Sequence, residues 1–407
     1  MRRRCFLSSL AAAQAAAVLP WQALAQQRGG APPPAPFKPV DEPNHPIGAG
    51  KGIYPGRVVW VRDPDATTWD GATGHWWDDA YTNQKLVHAM TSRLLQNLSG
   101  RKNDADAWDA LFRSFNNTRK LPNAGYRPGE RIAIKVNCNQ DRAREWAPGA
   151  PNGLPSPHAV VSLVTELIER AGVRGDDIMV YDATGIRNVG QPIRARIQAS
   201  SNPQYQKVKF LVGTDYNLGG RMAPTPDMEN PIRFSNAELP TAYLPRQVTE
   251  ASYLINMALL RPHGMAGVTL TAKNHFGSVH FPNAGGWSPR TLHNSVLRTQ
   301  PMGSYNALVD LIGHPHLGGK TMLYILDGLY TAEHNEGSVI KWASLGDHWA
   351  SSMLMSQDPV AIDSVALDLL SSEPRATQVR GNADNYLHEA AQAAAYHLDS
   401  LDRKSVV

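Results

Sequence analysis

Cysteine is nearly absent from the chain. Among 407 residues only Cys5 and Cys138 are cysteines, and Cys5 lies in an N-terminal segment typical of a removed export signal. The single thiol left cannot form an internal disulfide or hold an iron–sulfur cluster alone. We therefore expect no iron–sulfur cluster, and any metal would be bound by histidine, carboxylate or lysine side chains.

A strong excess of one charge is also lacking. Lys and Arg number 40 against 36 Asp and Glu, for a formal charge of +4. Three arginines fall within residues 1–25, and without them 37 basic residues oppose 36 acidic ones. A near-neutral chain has no electrostatic attraction to nucleic acid or anionic membranes. We predict no nucleic-acid partner.

Long apolar segments and nucleotide motifs are missing as well. Beyond residue 25 no run is long and apolar enough to cross a bilayer, so we expect no integral membrane segment after signal cleavage. The chain has no P-loop, nucleophile-elbow serine or G-x-G-x-x-G pattern, so nucleotide use is not indicated. A small-molecule substrate or ligand is the expected partner.

The first 25 residues carry a pattern typical of twin-arginine export. Residues 3–7 read RRCFL, a mild Ala-rich stretch follows, and residues 23–25 read ALA, an A-x-A cleavage site. A short membrane helix is the alternative, but the apolar run is too short and contains Pro20. We predict a signal peptide over 1–25, recognised by the twin-arginine export machinery, and a periplasmic or extracellular protein. Because this route carries folded proteins, it favours a cofactor loaded before export.

Composition divides the rest of the chain. Residues 26–56 are predicted to be a Pro-rich tether, since seven prolines fall within 26–46 and little there can be buried. Residues 57–407 are predicted to form one α/β domain with its core at about 130–370.

Alternating strand and helix patterns predict an α/β fold with a mainly parallel sheet and flanking helices. The runs 131-RIAIKVNCN-139 and 177-DIMVYDAT-184 read as strands, and residues 156–172 between them carry one apolar helical stripe. Strand, helix and strand at this spacing form a βαβ unit. Further strands are predicted at 57–63, 206–213, 251–260 and 321–328, and further helices at 83–98, 304–313, 358–370 and 383–398.

Polar residues follow the ends of these predicted strands. Ligands bind beyond the carboxyl ends of parallel strands, so Asn137 and Asp182 are predicted to bind substrate. Asn139 and Thr184 lie in the same loops. Loop capping is an equally open interpretation of all four.

Histidines crowd into the stretch 261-RPHGMAGVTLTAKNHFGSVHF-281. Over 268–273 small apolar residues alternate with polar ones, which predicts a strand with Lys273 opposite the apolar face. Gly277 permits a tight turn that would bring the following imidazoles back towards Lys273. Hydrogen-bonded core or loop histidines are the alternative.

Imidazole is a common ligand of transition metals and a proton carrier near neutral pH. We therefore predict a divalent transition metal, nickel, zinc or iron, bound by His263, His275 and His280. The predicted catalytic residues of this stretch are Lys273 and His263, and Asn274 is predicted to bind substrate.

A second group of polar residues follows the predicted strand 321–328. Asp327 ends this strand, and the next loop carries Glu333, His334 and Glu336. Such groups suit a divalent metal or an acid–base pair, with a solvated loop as the alternative. We predict that Asp327 is catalytic. Asp363 is predicted to contact substrate, although carboxylates near a helix start usually act as caps.

Residues 255–277 resemble the central motif of the domain of unknown function 362 family. The motif has the form Ile-Asn-x-x-x-x-(Lys/Arg)-x-His and is followed by Lys-Asn-x-x-Gly. The matching residues are Ile255, Asn256, Arg261, His263, Lys273, Asn274 and Gly277. Segments similar to other family motifs are 134–137 with the helix start at Pro157, Asp327–Gly328, and Ser356-x-Asp358-Pro359-x-x-x-Asp363.

This resemblance covers about residues 130–370 and implies a fold and a site, not a reaction. The chain lacks the cysteine-rich segment of many members, so the resemblance does not imply electron transfer. It is also similar at one point to the nickel-pincer lactate racemases, in which a histidine and a lysine ten residues apart hold the nickel cofactor. His263 and Lys273 have the same separation.

The sequence leaves three functions open. The first is an exported enzyme, metal- or Lys/His-assisted, that moves a proton or hydride on a small organic acid or sugar-derived substrate, as an isomerase, racemase or oxidoreductase does. The second is a non-catalytic periplasmic binding protein for a metal, glycan or anionic solute. Its contact surface would be the loops that carry Trp69, Trp76, Trp77, Trp146, Trp287, Trp342 and Trp349. In the third, the histidines are purely structural.

Overall fold

The computed structural model describes residues 48–138, 155–184, 191–213, 220–335 and 337–391. The chain divides into two units, residues 1–47 and 48–407, and only the second contains described residues. The predicted signal peptide and most of the predicted tether lie outside the described residues, so their boundaries stay predictions.

A seven-stranded sheet forms the centre of the second unit. Its strands are β1 (Val58–Arg62), β2 (Ile132–Val136), β3 (Ile178–Tyr181), β4 (Lys209–Leu211), β7 (Tyr253–Leu259), β10 (Thr321–Gly328) and β13 (Ser352–Ser356). They lie in the order β1-β13-β10-β7-β2-β3-β4. The five strands from β10 to β4 are mutually parallel, and β13 is antiparallel to both of its neighbours. The predicted α/β fold with a mainly parallel sheet is confirmed.

Three short strand pairs lie outside this sheet. They are β5 (Pro226–Ile232) with β6 (Ala242–Pro245), β8 (Arg261–His263) with β9 (Gly267–Thr269), and β11 (Thr331–Ala332) with β12 (Val339–Ile340). The β8–β9 hairpin directly follows β7, so it stands at the carboxyl end of a central parallel strand.

The helices begin at residues suited to capping. Asn83 accepts hydrogen bonds from the backbone N–H groups of Lys85 and Leu86, and Asp358 caps a second long helix in the same way, followed by a proline. The α-helices are α1 (Gln84–Ser99), α2 (Asp104–Thr118), α3 (Pro157–Thr165), α4 (Gln191–Gln198), α5 (Pro203–Gln206), α6 (Arg246–Thr249), α7 (Thr271–Asn274), α8 (Ala307–Gly313), α9 (Pro359–Ser372) and α10 (Asn385–Ala391). No helix among the described residues is long and apolar enough to cross a membrane.

The two faces of the sheet differ in character. On one face, Ile134 of β2 and Ile255 of β7 join a continuous apolar core with the buried sides of α1, α2 and α3. Side chains alternate along a strand, so the neighbouring Lys135 and Asn256 point to the opposite face, where α7 packs against β7 and α9 against β13. Polar side chains are therefore buried beneath α7.

The strand order reverses between β2 and β7. From β2 the chain moves outward to β3 and β4, and it then returns to β7 and β10 on the other side. The carboxyl ends of strands at such a reversal form the usual ligand crevice of open α/β sheets. The candidate site lies on the segments that follow β2 and β7.

The predicted strand through Lys273 is wrong. β9 ends at Thr269 and α7 begins at Thr271, because the Asp363 carboxylate accepts hydrogen bonds from the backbone N–H groups of Thr271 and Ala272. This cap starts a helical turn where the alternating pattern predicts extended chain. Helix α2 is not among the predicted elements, and the predicted helix 156–172 has a π-helical second half at Glu166–Arg170.

Candidate functional site

A buried polar network joins β2, β7 and α7. Lys135 Nζ lies 3.2 Å from Asn274 Oδ1 and 3.5 Å from Asp182 Oδ2. Asn274 Nδ2 donates to Asn256 Oδ1 at 2.7 Å and to the Lys135 carbonyl at 3.2 Å. Lys135 is 1% exposed. Because every contact is specific and shielded from water, the network holds α7 at one position on the sheet.

Asp182 ties the ends of β2 and β3 together. Its Oδ2 accepts from the Cys138 backbone N–H at 3.0 Å, and its Oδ1 accepts from the hydroxyl and N–H of Thr184. Asn137, the other predicted substrate residue of this edge, is buried at the end of β2. Asp182 therefore serves the loops at the carboxyl edge, as the loop-capping interpretation expects.

His275 points into the same network. Its Nε2 lies 3.2 Å from Asn256 Nδ2, and among the described residues its Nδ1 has no hydrogen-bond partner. Burial, with the positive charges of Lys135 and His314, lowers the pKa of His275 to about 3. The imidazole is neutral and enclosed, so it is a part of the interior.

A second cluster lies on the other side of α7. Lys273 Nζ stands 4.3 Å above the centre of the Phe276 ring, and the His293 ring meets the same ring edge-on at 5.5 Å. The His263 ring centre is 6.1 Å from that of His293. We call Lys273, His263 and His293 the basic cluster. Helix α7 thus turns Asn274 towards the network and Lys273 towards the basic cluster.

Electrostatics keep both imidazoles of the basic cluster neutral. Burial and the positive charges of Lys273, Arg261 and His293 lower the pKa of His263 far below its ordinary value. Burial and the charge of Lys273 lower the pKa of His293 to about 4. An ammonium group therefore stands beside two neutral ring systems. Such a cluster can attract an anion and can also take up a proton.

The other predicted site residues lie elsewhere. His280 pairs through its backbone with Tyr243 and packs its ring 4.7 Å from that of Trp287. Asp327 accepts from the backbone N–H groups of Ser156 and Leu329, on the face of the sheet that carries α3. Burial raises the pKa of Asp327 to about 6. Neither side chain is a contact of the basic cluster.

Asp363 has an internal role in the structure. Besides capping α7 through two backbone N–H groups, its carboxylate accepts from the hydroxyls of Thr271 and Tyr386. Burial raises the pKa of Asp363 to about 6, although these four hydrogen bonds act to lower it. Its contacts set the start of the helix that carries Lys273.

The described residues do not fit a three-ligand metal centre. Within the described ranges, no group of three His, Cys, Asp or Glu side chains is placed to hold a metal ion. His263, His275 and His280 have separate surroundings, and His263 Nδ1 is occupied by backbone N–H groups. The predicted nickel, zinc or iron ion stays a prediction.

A residue of the charged loop after β10 contacts the backbone next to His263. Asn335 Oδ1 accepts from the Gly264 backbone N–H at 3.2 Å, beside His263. Glu333 and His334 form a half-exposed pair, and Glu336 lies outside the described residues.

The tryptophan side chains pack inward. Trp69, Trp76, Trp77 and Trp349 surround Tyr330 in one aromatic group, and all are buried. Trp287 and Trp342 are also buried, and Trp146 lies outside the described residues. These six indoles do not form the exposed contact surface that the binding-protein interpretation requires.

The family model of the domain of unknown function 362 (DUF362) matches the chain over residues 132–368. The match spans more than half of the 407 residues. The chain belongs to the DUF362 family. The DUF362 region contains both the buried network and the basic cluster. No curated protein matches the chain, and the similarity to nickel-pincer lactate racemases stays a prediction.

Sequence reasoning missed His293, Lys135 and Asn256 as site residues. His293 lies in a short 3₁₀ helix, Pro289–Ser295, where no periodicity or motif marks it. Lys135 does leave a signal, since it interrupts the apolar residues of a central strand, and a lysine there needs a partner. Asn256 leaves the same kind of signal, because it is a polar residue among the apolar residues of β7.

Proposed function

We propose that this DUF362 protein is an enzyme that binds a small organic acid at the basic cluster and moves a proton on it. The observation that carries this proposal is the packing of Lys273 and the neutral His293 ring against Phe276, with the neutral His263 ring 6.1 Å from that of His293. Lys273 and His263 are each 8% exposed, and at such sites the attraction between an ammonium group and a carboxylate is less screened than in bulk water.

The roles follow from the positions. Lys273 would pair with the carboxylate of the substrate and stabilise the negative charge that develops on it as the neighbouring carbon loses a proton. His293 donates its Nδ1 proton to the Pro289 carbonyl at 3.1 Å, so its Nε2 lone pair would act as the base. His263 would orient the substrate from the opposite side.

Hydrogen exchange in D₂O tests this proposal. The protein is incubated with a panel of carboxylic acids, and proton NMR follows loss of the signal of the hydrogen next to the carboxylate. Lys273→Met and His293→Gln should each slow exchange by at least about 100-fold, the usual contribution of a positioned acid or base. His88→Gln is the control, because His88 bonds to Ser162 on the opposite face of the sheet.

Two results would contradict the proposed enzymatic function. Exchange that persists in both variants would remove the basic cluster from the reaction. Saturable binding of an acid without any exchange in the unaltered protein would assign the cluster to a solute-binding protein, the second function that the sequence leaves open.

We also propose that the chain is exported by the twin-arginine route to the periplasm or beyond. The arginine pair and the A-x-A site within residues 1–25 support this. Mass spectrometry of the exported protein should give a mature start at Gln26, and an Arg3→Lys, Arg4→Lys double variant should stay in the cell at full length. Export of the double variant would contradict the proposal.

A further inference from the structure

Helix α7 is too short to hold its own position. It has a single turn, Thr271–Asn274, and its N-cap residue, Leu270, offers no capping side chain. An isolated helix of this length is not stable in water, so the position of Lys273 depends on contacts from other elements. One such contact comes from α9, where the Asp363 carboxylate accepts from the first two backbone N–H groups of α7.

The Asp363 carboxylate is itself held by the C-terminal helix. Tyr386, in the first turn of α10, is buried and donates its hydroxyl proton to Asp363 Oδ2 at 3.0 Å. The same oxygen accepts from the Ala272 N–H at 3.0 Å, and Oδ1 accepts from the Thr271 hydroxyl at 2.6 Å. One carboxylate oxygen therefore joins α10 to the residue that precedes Lys273.

The segment that begins α10 also contacts the strand pair that carries His263. Ala383 lies so close to β9 that a Cβ added to Gly267 would clash with the Ala383 Cβ. Gly267 is the residue opposite His263 in the β8–β9 register, and its φ of +83° favours glycine as well. Residues 383–386 thus contact both elements that present the basic cluster.

Asn385 fastens this segment to a neighbouring loop. Its Oδ1 accepts from the Gly303 N–H and its Nδ2 donates to the Ser304 carbonyl, both at 2.7 Å. Residues 383–386 follow the region that the DUF362 model matches, 132–368. The basic cluster is therefore supported by a segment outside the matched region.

We propose that residues 383–386 position the basic cluster and that Tyr386 is the positioning residue for Lys273. The Tyr386 hydroxyl orients the Asp363 carboxylate, the carboxylate sets the start of α7, and α7 places the ammonium group above Phe276. A displacement of about 1 Å at a reacting group can slow a reaction by about 100-fold. This inference rests on the proposed function only for its effect on exchange.

NMR of the free protein with carbon-13-labelled lysine tests the position of Lys273. Because its Nζ stands 4.3 Å above the centre of the Phe276 ring, the ring shields the neighbouring CH₂ group, and the proton signal of that group reports its place above the ring. The signal is assigned by its absence in Lys273→Met. Tyr386→Phe and Thr271→Val each remove one hydroxyl donor of Asp363, and both should shift the signal downfield.

Tyr205→Phe is the matched control. The Tyr205 hydroxyl donates to the Glu169 carboxylate at 2.7 Å, and its ring belongs to the apolar core on the opposite face of the sheet. The control should therefore leave the Lys273 signal in place. An unmoved Lys273 signal in Tyr386→Phe, or an equal shift in Tyr205→Phe, would overturn the inference.

Exchange of the acid in D₂O separates this inference from the proposed function. Where the unaltered protein catalyses exchange, Tyr386→Phe should slow it about 10-fold at saturating acid, because a hydrogen bond to a charged group contributes about that factor, and Tyr205→Phe should not. An unchanged rate beside a shifted Lys273 signal would overturn the role of Tyr386 in the reaction. No exchange in the unaltered protein would overturn the proposed function, while the Lys273 signal would still decide whether Tyr386 positions Lys273.

Discussion

Replacement of Lys135 tests whether the ion pair in the buried network holds α7 in place. In Lys135→Met the carboxylate of Asp182 loses the ammonium group that lies 3.5 Å away, while the pair is almost wholly shielded, with side chains 1% and 4% exposed. Asp182 keeps the N–H of Cys138 and the two donors of Thr184. The variant therefore buries a charge without its counter-ion.

The expected loss follows from this geometry. Removing one partner of a buried ion pair costs about 3–5 kcal/mol of unfolding free energy, and the Asn274 side-chain oxygen and the Val136 carbonyl also lose the hydrogen bonds that Lys135 Nζ donates. Adding Asp182→Asn removes the isolated charge. We expect the double variant to be more stable than the sum of the single losses, with a coupling of about 1–3 kcal/mol.

Urea denaturation of the two single variants and the double variant measures this coupling. Lys320→Met is the matched control, because Lys320 is equally buried but donates to the Val248 and Thr249 carbonyls. Its loss should be about 1–3 kcal/mol, the cost of unsatisfied carbonyls. Additive effects of Lys135→Met and Asp182→Asn, with a coupling below about 0.5 kcal/mol, would refute the reasoning.

Three further predictions concern other parts of the chain. Burial raises the pKa of Glu166 from 4.5 to about 7, so the stability of the fold falls as the pH rises through this window. Glu166→Gln should therefore stabilise the protein by about 3 kcal/mol at pH 8 but little at pH 4, and equal effects at both pH values would contradict this. A Cβ on Gly277 would lie 2.5 Å from Lys135 Nζ and from Asp182 Oδ1. Gly277→Ala should therefore lower the free energy of unfolding by about 1–3 kcal/mol, and an unchanged Tm in thermal unfolding would disprove the close contact. Elemental analysis of the purified exported protein and of His263→Ala tests the predicted metal: stoichiometric nickel, zinc or iron lost in the variant would support it.

Regular elements were predictable because their signals are local. The alternation of Ile132, Ile134 and Val136 identifies a central strand, and Asp358 with Pro359 marks the start of α9. The helical turn at Lys273 could not be predicted in this way. Its cap is Asp363, which is distant in sequence, and a cap supplied by the tertiary fold overrides the local alternating pattern.

The residues of the candidate site also differ in whether the local sequence could predict them. Lys273 and His263 stand in one motif, and the sequence predicts both as site residues. His293 joins them only because the loop after residue 281 folds back onto Phe276, which no spacing reveals. His275 and His280 are close to Lys273 in sequence, yet the turn directs one into the interior and the other towards Trp287.

The most direct test of the basic cluster as an anion site is an NMR titration of histidine-labelled protein with the acid that binds best. In the unaltered protein the ring signals of His263 and His293 should shift with saturation, while those of His275 and His88 stay in place. The shifts should disappear in Lys273→Met. Unmoved His263 and His293 signals, or the same shifts without Lys273, would contradict the account.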